Sequence, residues 1–306
     1  MNDQVAAFAE LTTELLVAGQ VDDLVAQLAD PDLAEEWDDP AVVAAVAEPY
    51  GRAAAGGRLL DVAVLRRPDV SLLVPVTGHD PATAARRSTG GLELDGLVRG
   101  TVAGTLAVLL DGKVGLVATG TLDVVPVTGL DPAAELRRVR GRVAEPDEQL
   151  DVDAATVLSR AARFLAHELL GAGGAALDLA VEHVRSRHQF GVPLGSFQAV
   201  RHRLAEAHVQ LTAARELLAA IGADADPDVH LLVLKSWAGA AAQTAVAAAQ
   251  QVCGGMGFTE EFGLHRSVRR AHLLDGLLGG WEEADVLLGR LATEGRVIPD
   301  RQVVLS

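Results

Sequence analysis

A helical pattern that fills the second half of the chain constrains the fold more than any other feature. From Ala154 to Arg296 the sequence is rich in Ala and Leu, and apolar residues recur every three or four positions. This is the period of an α-helix with one buried face. The pattern predicts helices at 154–185, 195–221, 228–251, 262–275 and 281–294, with breaks at 191–193, 224–228 and 253–257. We therefore expect a C-terminal bundle of four or five helices over residues 151–306.

The first 58 residues predict shorter helices. Apolar residues have helical spacing over Gln4–Ala18, Val21–Leu28 and Ala41–Ala55. Asp-Pro pairs at 30–31 and 39–40 separate the later segments, because proline cannot continue a helix and aspartate often caps the next one. Residues 1–58 are expected to form a short N-terminal helical region.

Between residues 59 and 150 the pattern changes to that of β-strands. Asp111-Gly112 separates two apolar runs by the two residues that a tight β-hairpin needs. The apolar runs are bounded by Gly, Asp and Pro: Asp61–Leu65, Ser71–Pro75, Thr105–Leu110, Val114–Thr119 and Leu122–Val127. Glu145–Asp153 is interpreted as an acidic connector to the bundle. The predicted fold class is α+β, with short N-terminal helices, a middle β-domain over 59–150 and a helical bundle.

Composition excludes several classes of function. The chain has 306 residues, a formal net charge of −16 and only two lysines, Lys113 and Lys235, so its surface repels a nucleic-acid backbone. The single cysteine, Cys253, rules out an internal disulfide and fits a small buried residue. The nine histidines show no metal-binding spacing. No signal peptide or long uninterrupted apolar stretch is visible, so a cytoplasmic location without membrane insertion is expected.

Two segments of the last third are specific enough to indicate a family. The first is Arg185-Ser186-Arg187-His188-Gln189-Phe190-Gly191, followed by Phe197-Gln198-Ala199-Val200. The second is Gln251-Val252-Cys253-Gly254-Gly255-Met256-Gly257-Phe258, followed by Arg269-Arg270-Ala271. In this order, about 60 residues apart, they resemble the C-terminal domain of acyl-CoA dehydrogenases. The similarity is dense over 155–290 and only architectural over 30–150, where the N-terminal helical part is about half the size the family has.

The resemblance implies a set of residues that contact FAD across a subunit interface. These residues are Arg187, Gln189, Phe190, Gln198, Gln251, Gly254 and Gly255. An arginine offers the FAD diphosphate a fixed guanidinium fork that lysine lacks, and glycines let backbone approach a nucleotide closely. Taken singly, Arg187 also fits a charge at a helix end, and Gly254 and Gly255 also fit a helix cap. No metal site is implied.

The chain departs from the family where the catalytic base belongs. The family places a glutamate after the segment that matches Arg269-Arg270-Ala271, and Leu278 occupies that position here. Some members carry the base on the helix before the first motif; the equivalent position here falls near Ala161, whose neighbours Ala162 and Arg163 are not acids. Neither Leu278 nor Ala161 can accept a proton. The nearest carboxylates that could replace the base are Asp275, Glu282 and Glu283, although the two glutamates also fit charges at a helix N-terminus.

The middle region also lacks the family's flavin-ring elements. Neither the Thr-Glu-Pro loop nor the Trp-Ile-Thr-Asn-Gly strand is found between Leu59 and Val143, and Val117–Thr121 is a poor substitute. The resemblance therefore implies the short, non-catalytic subunit of a heteromeric acyl-CoA dehydrogenase of the steroid side-chain type.

Such a subunit implies several partners: a homologous catalytic chain in an α2β2 assembly, an acyl-CoA substrate and an electron acceptor such as electron-transfer flavoprotein. Two alternatives stay open from the sequence. One is a self-sufficient homomeric dehydrogenase with a relocated base. The other is a non-enzymatic scaffold that binds a CoA thioester. Flavin binding without dehydrogenation, as in oxygenase-like branches of the family, also fits.

Overall fold

The N-terminal part is a small helical layer in the computed structural model, which describes residues 3–78, 80–146, 148–221 and 227–296. Its helices are α1 (Asp3–Val17), α2 (Val21–Leu28), α3 (Pro40–Ala53) and α4 (Leu59–Leu65). Asp39 starts α3 by accepting a hydrogen bond from the Ala41 backbone N–H at 2.8 Å, with Pro40 in the first turn. The three predicted N-terminal helices are confirmed within two residues at each end. The strand predicted at Asp61–Leu65 is wrong: all of α4 is buried, and a fully buried apolar run shows no period that separates helix from strand.

The middle part consists of two sheets. The strands are β1 (Val70–Leu72), β2 (Val74–Pro75), β3 (Ala85–Ser88), β4 (Gly91–Arg99), β5 (Thr105–Leu110), β6 (Lys113–Ala118), β7 (Asp123–Pro126), β8 (Leu136–Val143) and β9 (Glu148–Asp153). One sheet has the order β1-β5-β6-β9, and the other has the order β2-β4-β8-β7 with β3 paired to β4. Leu73, Leu92, Leu106, Val108 and Val139 belong to a separate core in this part.

Turn chemistry predicted the hairpin between β5 and β6 correctly. Asp111 and Gly112 both have positive φ, 51° and 76°, which the tight hairpin turn requires. The connector predicted at Glu145–Asp153 is wrong in its second half, which forms β9 and pairs with β6. The acidic side chains of β9 point to solvent because β9 is an edge strand. This acidic composition favoured a connector over a strand in the sequence.

The C-terminal bundle contains α5 (Ala154–Ser186), α6 (Gln198–Ala220), α7 (Pro227–Cys253), α8 (Leu264–Gly276) and α9 (Trp281–Thr293). All five agree with the predicted helices to within three residues at each end. Asp153 caps α5 by accepting a hydrogen bond from the Thr156 backbone N–H at 2.7 Å. Residues 224–226 of the break predicted at 224–228 lie outside the described residues, and the last two residues of that break belong to α7. The division into 1–58, 59–150 and 151–306 stays a proposal.

Two long apolar helices form the centre of the bundle. The spans Ala154–Ser186 and Val229–Phe258 could cross a membrane by length and composition alone. However, 78% and 67% of their most apolar windows are buried inside the protein, as expected for core helices. Helix α3 also packs on α5 at backbone distance, because a Cβ on Gly51 would lie 2.0 Å from the Glu168 carbonyl oxygen.

Buried charges join the middle part to the bundle, and the two arginines among them also donate hydrogen bonds to the Ala55 carbonyl, just after α3 in the N-terminal part. Arg99, at the end of β4, binds Glu168 of α5 through two hydrogen bonds of 2.6 Å. Arg270 of α8 binds the same carboxylate at 3.0 Å and also Asp131, in the loop before β8. All four side chains are buried. We call them the buried tetrad; its two positive and two negative charges balance, which a water-excluded cluster requires.

Candidate functional site

The two family-like motifs lie at the same end of the bundle. Helices α5 and α7 run in parallel, because Arg163 contacts His230 near their starts and Gly173 faces Ala242 near their middles. In the last turn of α5, the ring of His183 meets the ring of Phe262, which lies beyond the end of α7, edge to face at 5.4 Å. The segments that follow α5 and α7 therefore form one surface. We call residues 187–198 and 251–258 the bundle end.

A strained hairpin forms the first half of the bundle end. Strands β10 (His188–Gln189) and β11 (Val192–Pro193) pair, and Phe190 and Gly191 turn between them with φ of 55° and 80°. Glycine accepts this conformation freely, but a phenylalanine with positive φ is strained. The Phe190 side chain is also 91% exposed. The fold thus holds an exposed aromatic ring at a conformational cost.

Unpaired arginines surround this hairpin. Arg187 ends α5 and its side chain is exposed. Three further exposed arginines, Arg185, Arg201 and Arg203, lie on the adjoining ends of α5 and α6. Among the described residues none of the four forms an ion pair with a carboxylate. Arg201 donates a hydrogen bond to the Ser196 carbonyl at 3.0 Å. In a chain with net charge −16, the other three guanidinium groups are suited to an anionic ligand.

The glycine-rich turn forms the second half. Gln251 is exposed in the last turn of α7, and Gly254 and Gly255 follow the end of the helix. A Cβ added at Gly255 would meet no atom of this chain within 4 Å, so internal packing does not explain the glycine. Gly254 has a positive φ of 54°, which by itself favours glycine. The backbone of the turn is therefore accessible to a molecule that binds at the bundle end.

An apolar surface at the bundle end went unpredicted. Phe197 contacts Phe190 edge to face at 6.1 Å, and Met256 and Phe258 project from the glycine-rich turn. Phe258 is 72% exposed. Sequence reasoning included Phe190 alone because the family motif marks it. The other aromatic residues could have been found from their position in turns, where a core side chain is not expected.

The structure buries both positions at which the family carries its base. Leu278 is 1% exposed and packs in the main core, and its φ is 58°. Ala161 is fully buried on α5. Neither position opens to solvent, and neither supplies a group that takes a proton.

Each of the three carboxylates that could replace the catalytic base lies against or within the first turn of α9. Asp275 accepts a hydrogen bond from the Trp281 backbone N–H at 3.0 Å and so caps α9. Burial raises the pKa of Asp275, an effect that the nearby Lys235 ammonium opposes. Glu282 and Glu283 are exposed in the first turn of α9, where negative charge favours a helix N-terminus.

A second constellation lies at the opposite end of α5. A cavity of about 140 Å³ is lined by Ser159, Arg163 and His230, among others. Arg163 only donates hydrogen bonds, so the His230 Nε2 accepts from it at 2.7 Å and Nδ1 carries the proton. His230 therefore donates to the Ser159 hydroxyl and cannot activate it as a nucleophile. Arg163 also binds the Leu218 and Ile221 carbonyls, which makes this cluster a cap for the end of α6.

A metal centre has no support in the described part of the chain. There, no group of three or more His, Cys, Asp or Glu side chains is placed to hold an ion. Burial raises the pKa of the Cys253 thiol to about 11, so the thiol stays protonated near neutral pH.

Comparison with known proteins points to one family. Residues 153–287 match the model of the acyl-CoA dehydrogenase C-terminal domain. Acyl-CoA dehydrogenase IpdE2 of Mycobacterium tuberculosis is 32% identical over 270 residues, which is 82% of this chain and 82% of that protein.

Solved structures share the fold over nearly the whole chain. The ChsE4-ChsE5 complex from Mycobacterium tuberculosis matches with a TM-score of 0.74 at 19% identity, covering 96% of this chain and 98% of the matched chain. A variant of the Tcur3481-Tcur3483 steroid ACAD matches with a TM-score of 0.72 at 21% identity, covering 96% and 98%. At these identities the likeness concerns the fold.

Proposed function

Because the chain belongs to the acyl-CoA dehydrogenase family, we propose that it is the non-catalytic subunit of a heteromeric, FAD-dependent acyl-CoA dehydrogenase. One contrast carries the proposal. All seven residues that the motifs assign to a neighbour's FAD are exposed at the bundle end, whereas both positions of the base are buried and apolar. The chain exposes the residues that would reach a partner's cofactor and lacks a residue that could abstract the proton.

The bundle end fits the FAD of a neighbouring chain. Arg187 is free to bind a diphosphate with two parallel hydrogen bonds. Gln198 is the first residue of α6, and no side chain caps that helix, so backbone N–H groups also face an approaching phosphate. The open backbone at Gly255 leaves room for a flat nucleotide. When bound, FAD supplies a two-electron acceptor for a hydride.

The proposed reaction removes two hydrogens from an acyl-CoA. The α-proton of R–CH2–CH2–CO–SCoA goes to a glutamate on the partner chain, and the β-hydrogen leaves as a hydride, which gives the trans-enoyl thioester. In this scheme Arg187, Gln189 and Gln198 hold the polar part of the cofactor. Phe190 covers it from water, and Gln251, Gly254 and Gly255 close the other side. An acceptor such as electron-transfer flavoprotein takes the electrons.

The names of relatives support the substrate class and the assembly. The Tcur3481-Tcur3483 protein is described as a steroid ACAD, and ChsE4-ChsE5 as a complex of two components. We propose a bulky, steroid-type acyl-CoA as the substrate and an α2β2 assembly in the cytoplasm. The homomeric alternative is less well supported, because Asp275 is engaged as a helix cap and neither base position is accessible.

The proposal is tested by co-expressing the chain with a homologous acyl-CoA dehydrogenase chain, sought among the neighbouring genes, and measuring the FAD affinity of the purified complex. Arg187→Ala should weaken FAD binding at least tenfold, since a charge-assisted fork is worth more than about 1.4 kcal/mol. Arg187→Lys should not restore it, because an ammonium cannot form the fork.

Arg290→Ala serves as the matched control, since Arg290 is also exposed but lies on α9. This variant should keep the FAD affinity of the unchanged complex. Equal FAD affinity in the Arg187→Ala and Arg290→Ala complexes would overturn the role given to the bundle end.

A further inference from the structure

The cavity beside Ser159 has an apolar wall and a polar wall. Its volume is about 140 Å³, close to the ~150 Å³ of an engineered cavity that binds benzene. Ser159, Arg163 and His230 form the polar wall. Buried apolar side chains from the N-terminal layer and from α5 form the other: Trp37, Val43, Ala63 and Phe164. An apolar space with a few polar groups at one side is the usual form of a small-molecule site.

The polar wall offers hydrogen-bond donors that have no acceptor. Three of the five N–H groups of Arg163 bind the Leu218 carbonyl, the Ile221 carbonyl and His230 Nε2. The other two have no acceptor among the residues that the structure describes. The Ser159 hydroxyl accepts from His230, so its own hydrogen also has no acceptor in that part of the chain. Buried donors of this kind are costly unless a bound molecule accepts from them.

Positive charge exceeds negative charge around the cavity. Asp38, which also lines it, is shared by Arg66 at 2.9 Å and Arg160 at 3.1 Å. Burial, and then repulsion by Arg160, lowers the pKa of Arg66. Burial also lowers the pKa of Arg163, and no described carboxylate offsets this effect. Three arginines beside one carboxylate leave a charge that an anion would balance.

We propose that this cavity binds a small monocarboxylate with an apolar tail. The carboxylate accepts hydrogen bonds from Arg163 and Ser159, and the tail packs between Trp37 and Phe164. A free sulfate or phosphate fits less well, because the apolar wall offers it no donors. A neutral apolar molecule leaves the free donors unpaired. The site lies at the end of α5 opposite the bundle end, so the inference is independent of the proposed role toward FAD.

The test is an isothermal titration of the whole chain with three probes. Butyrate has the six heavy atoms of benzene together with a carboxylate. It should bind with a dissociation constant of about 1 mM or lower, an affinity within the range of small ligands. Butyramide has the same number of heavy atoms without the charge and should bind about tenfold more weakly or worse. Sulfate, which has the charge without a tail, should show no saturable binding.

Variants locate the binding. Ala63→Leu should fill the cavity and weaken butyrate binding about tenfold or more, while Arg163 keeps its bonds to the end of α6. Arg163→Met should cause a similar loss. If that variant folds poorly because it loses those bonds, Ala63→Leu and Ser159→Ala still test the site. Arg187→Gln is the matched control, since Arg187 is a second arginine on α5 without a carboxylate partner among the described residues, and it should leave butyrate affinity unchanged.

Four results would overturn the inference. The first is no saturable butyrate binding at about ten times the expected dissociation constant, which would leave a cavity that holds water only. The second is equal affinity for butyrate and butyramide. The third is unchanged affinity in Ala63→Leu. The fourth is a loss in Arg187→Gln in place of Ala63→Leu, which would assign the anion to the bundle end.

Discussion

At the scale of single residues, Phe190 shows how the fold sacrifices stability at the bundle end. A non-glycine residue in the left-handed region costs about 1–2 kcal/mol, and the ring gains little burial in return because it is 91% exposed. Strain of this kind persists where another role requires it. In the present account that role is to cover a partner's cofactor.

Phe190→Gly should therefore stabilise the isolated chain and weaken the complex. Glycine relieves the positive φ, so the free energy of unfolding should rise by about 1 kcal/mol in urea titrations. The FAD affinity of the co-expressed complex should fall. Phe258→Gly is the control, because Phe258 is also exposed but lacks a positive φ. A Phe190→Gly chain that is less stable than the unchanged chain would contradict this account.

The site residues that were predicted from the sequence are those that belong to a family motif. Arg187 and Gly255 stood out because the spacing around them is specific. Arg203, Met256 and Phe258 lie on the same surface but went unpredicted, since an exposed arginine or apolar residue has no signature without its neighbours in space. The burial of Leu278 also required the structure, although its inability to act as a base did not.

At the scale of elements, the buried tetrad should govern how the three parts hold together. Glu168→Gln leaves Arg99 and Arg270 buried against a neutral partner, so the free energy of unfolding should fall by about 3–5 kcal/mol. Glu93→Gln breaks the exposed pair with Arg86 and should cost less than about 1 kcal/mol. Urea unfolding of both variants measures the contrast. Similar small losses in the two variants would show that the tetrad does not join the parts.

The cap at the end of α6 should depend on pH. Burial, and then the neighbouring Arg163 guanidinium, lower the pKa of His230 to about 4, whereas an unfolded histidine has a pKa of about 6.5. Between these values the unfolded chain binds a proton that the folded chain does not. The contribution of His230 is therefore complete above about pH 6.5 and is lost as the pH falls through about 4.

His230→Gln isolates this contribution from other titrating groups. The unfolding free energies of the unchanged chain and the variant should differ most near pH 7. Their difference should shrink by about 2–3 kcal/mol by pH 4.5, as a shift of this size implies. Urea titrations at several pH values measure it, and a difference that stays constant with pH would contradict the assignment.

Periodicity predicted helices far better than strands. The long helices α5 and α7 were visible because their buried faces repeat over many turns. In the middle part, β3, β4 and β8 were missed. Arg137, Arg138, Arg140 and Arg142 give β8 an unusually charged sequence, and partners on β4 such as Asp95, which pairs with Arg138, are distant in the chain. Such long-range compensation cannot be read from a local window.

At the scale of the whole molecule, the N-terminal part is strongly acidic. Residues 1–58 hold many acidic side chains and only two arginines, Arg52 and Arg58, while Arg187 of the bundle end and the neighbouring Arg185 and Arg203 are exposed without a carboxylate partner among the described residues. We therefore expect an anionic cofactor to approach the chain at the bundle end and not at the surface of residues 1–58. Net charge alone, which was known from the sequence, argued only against nucleic acid.

The central claim is that this chain completes a cofactor site that belongs to a partner. The most direct measurement is the number of FAD molecules per chain, with turnover of a bulky acyl-CoA, for the isolated chain and for the co-expressed pair. The account predicts a colourless, inactive single chain and one FAD per two different chains in an active complex. A yellow single chain with one FAD per copy and full turnover would contradict it, and would return Asp275, Glu282 and Glu283 to consideration as the base.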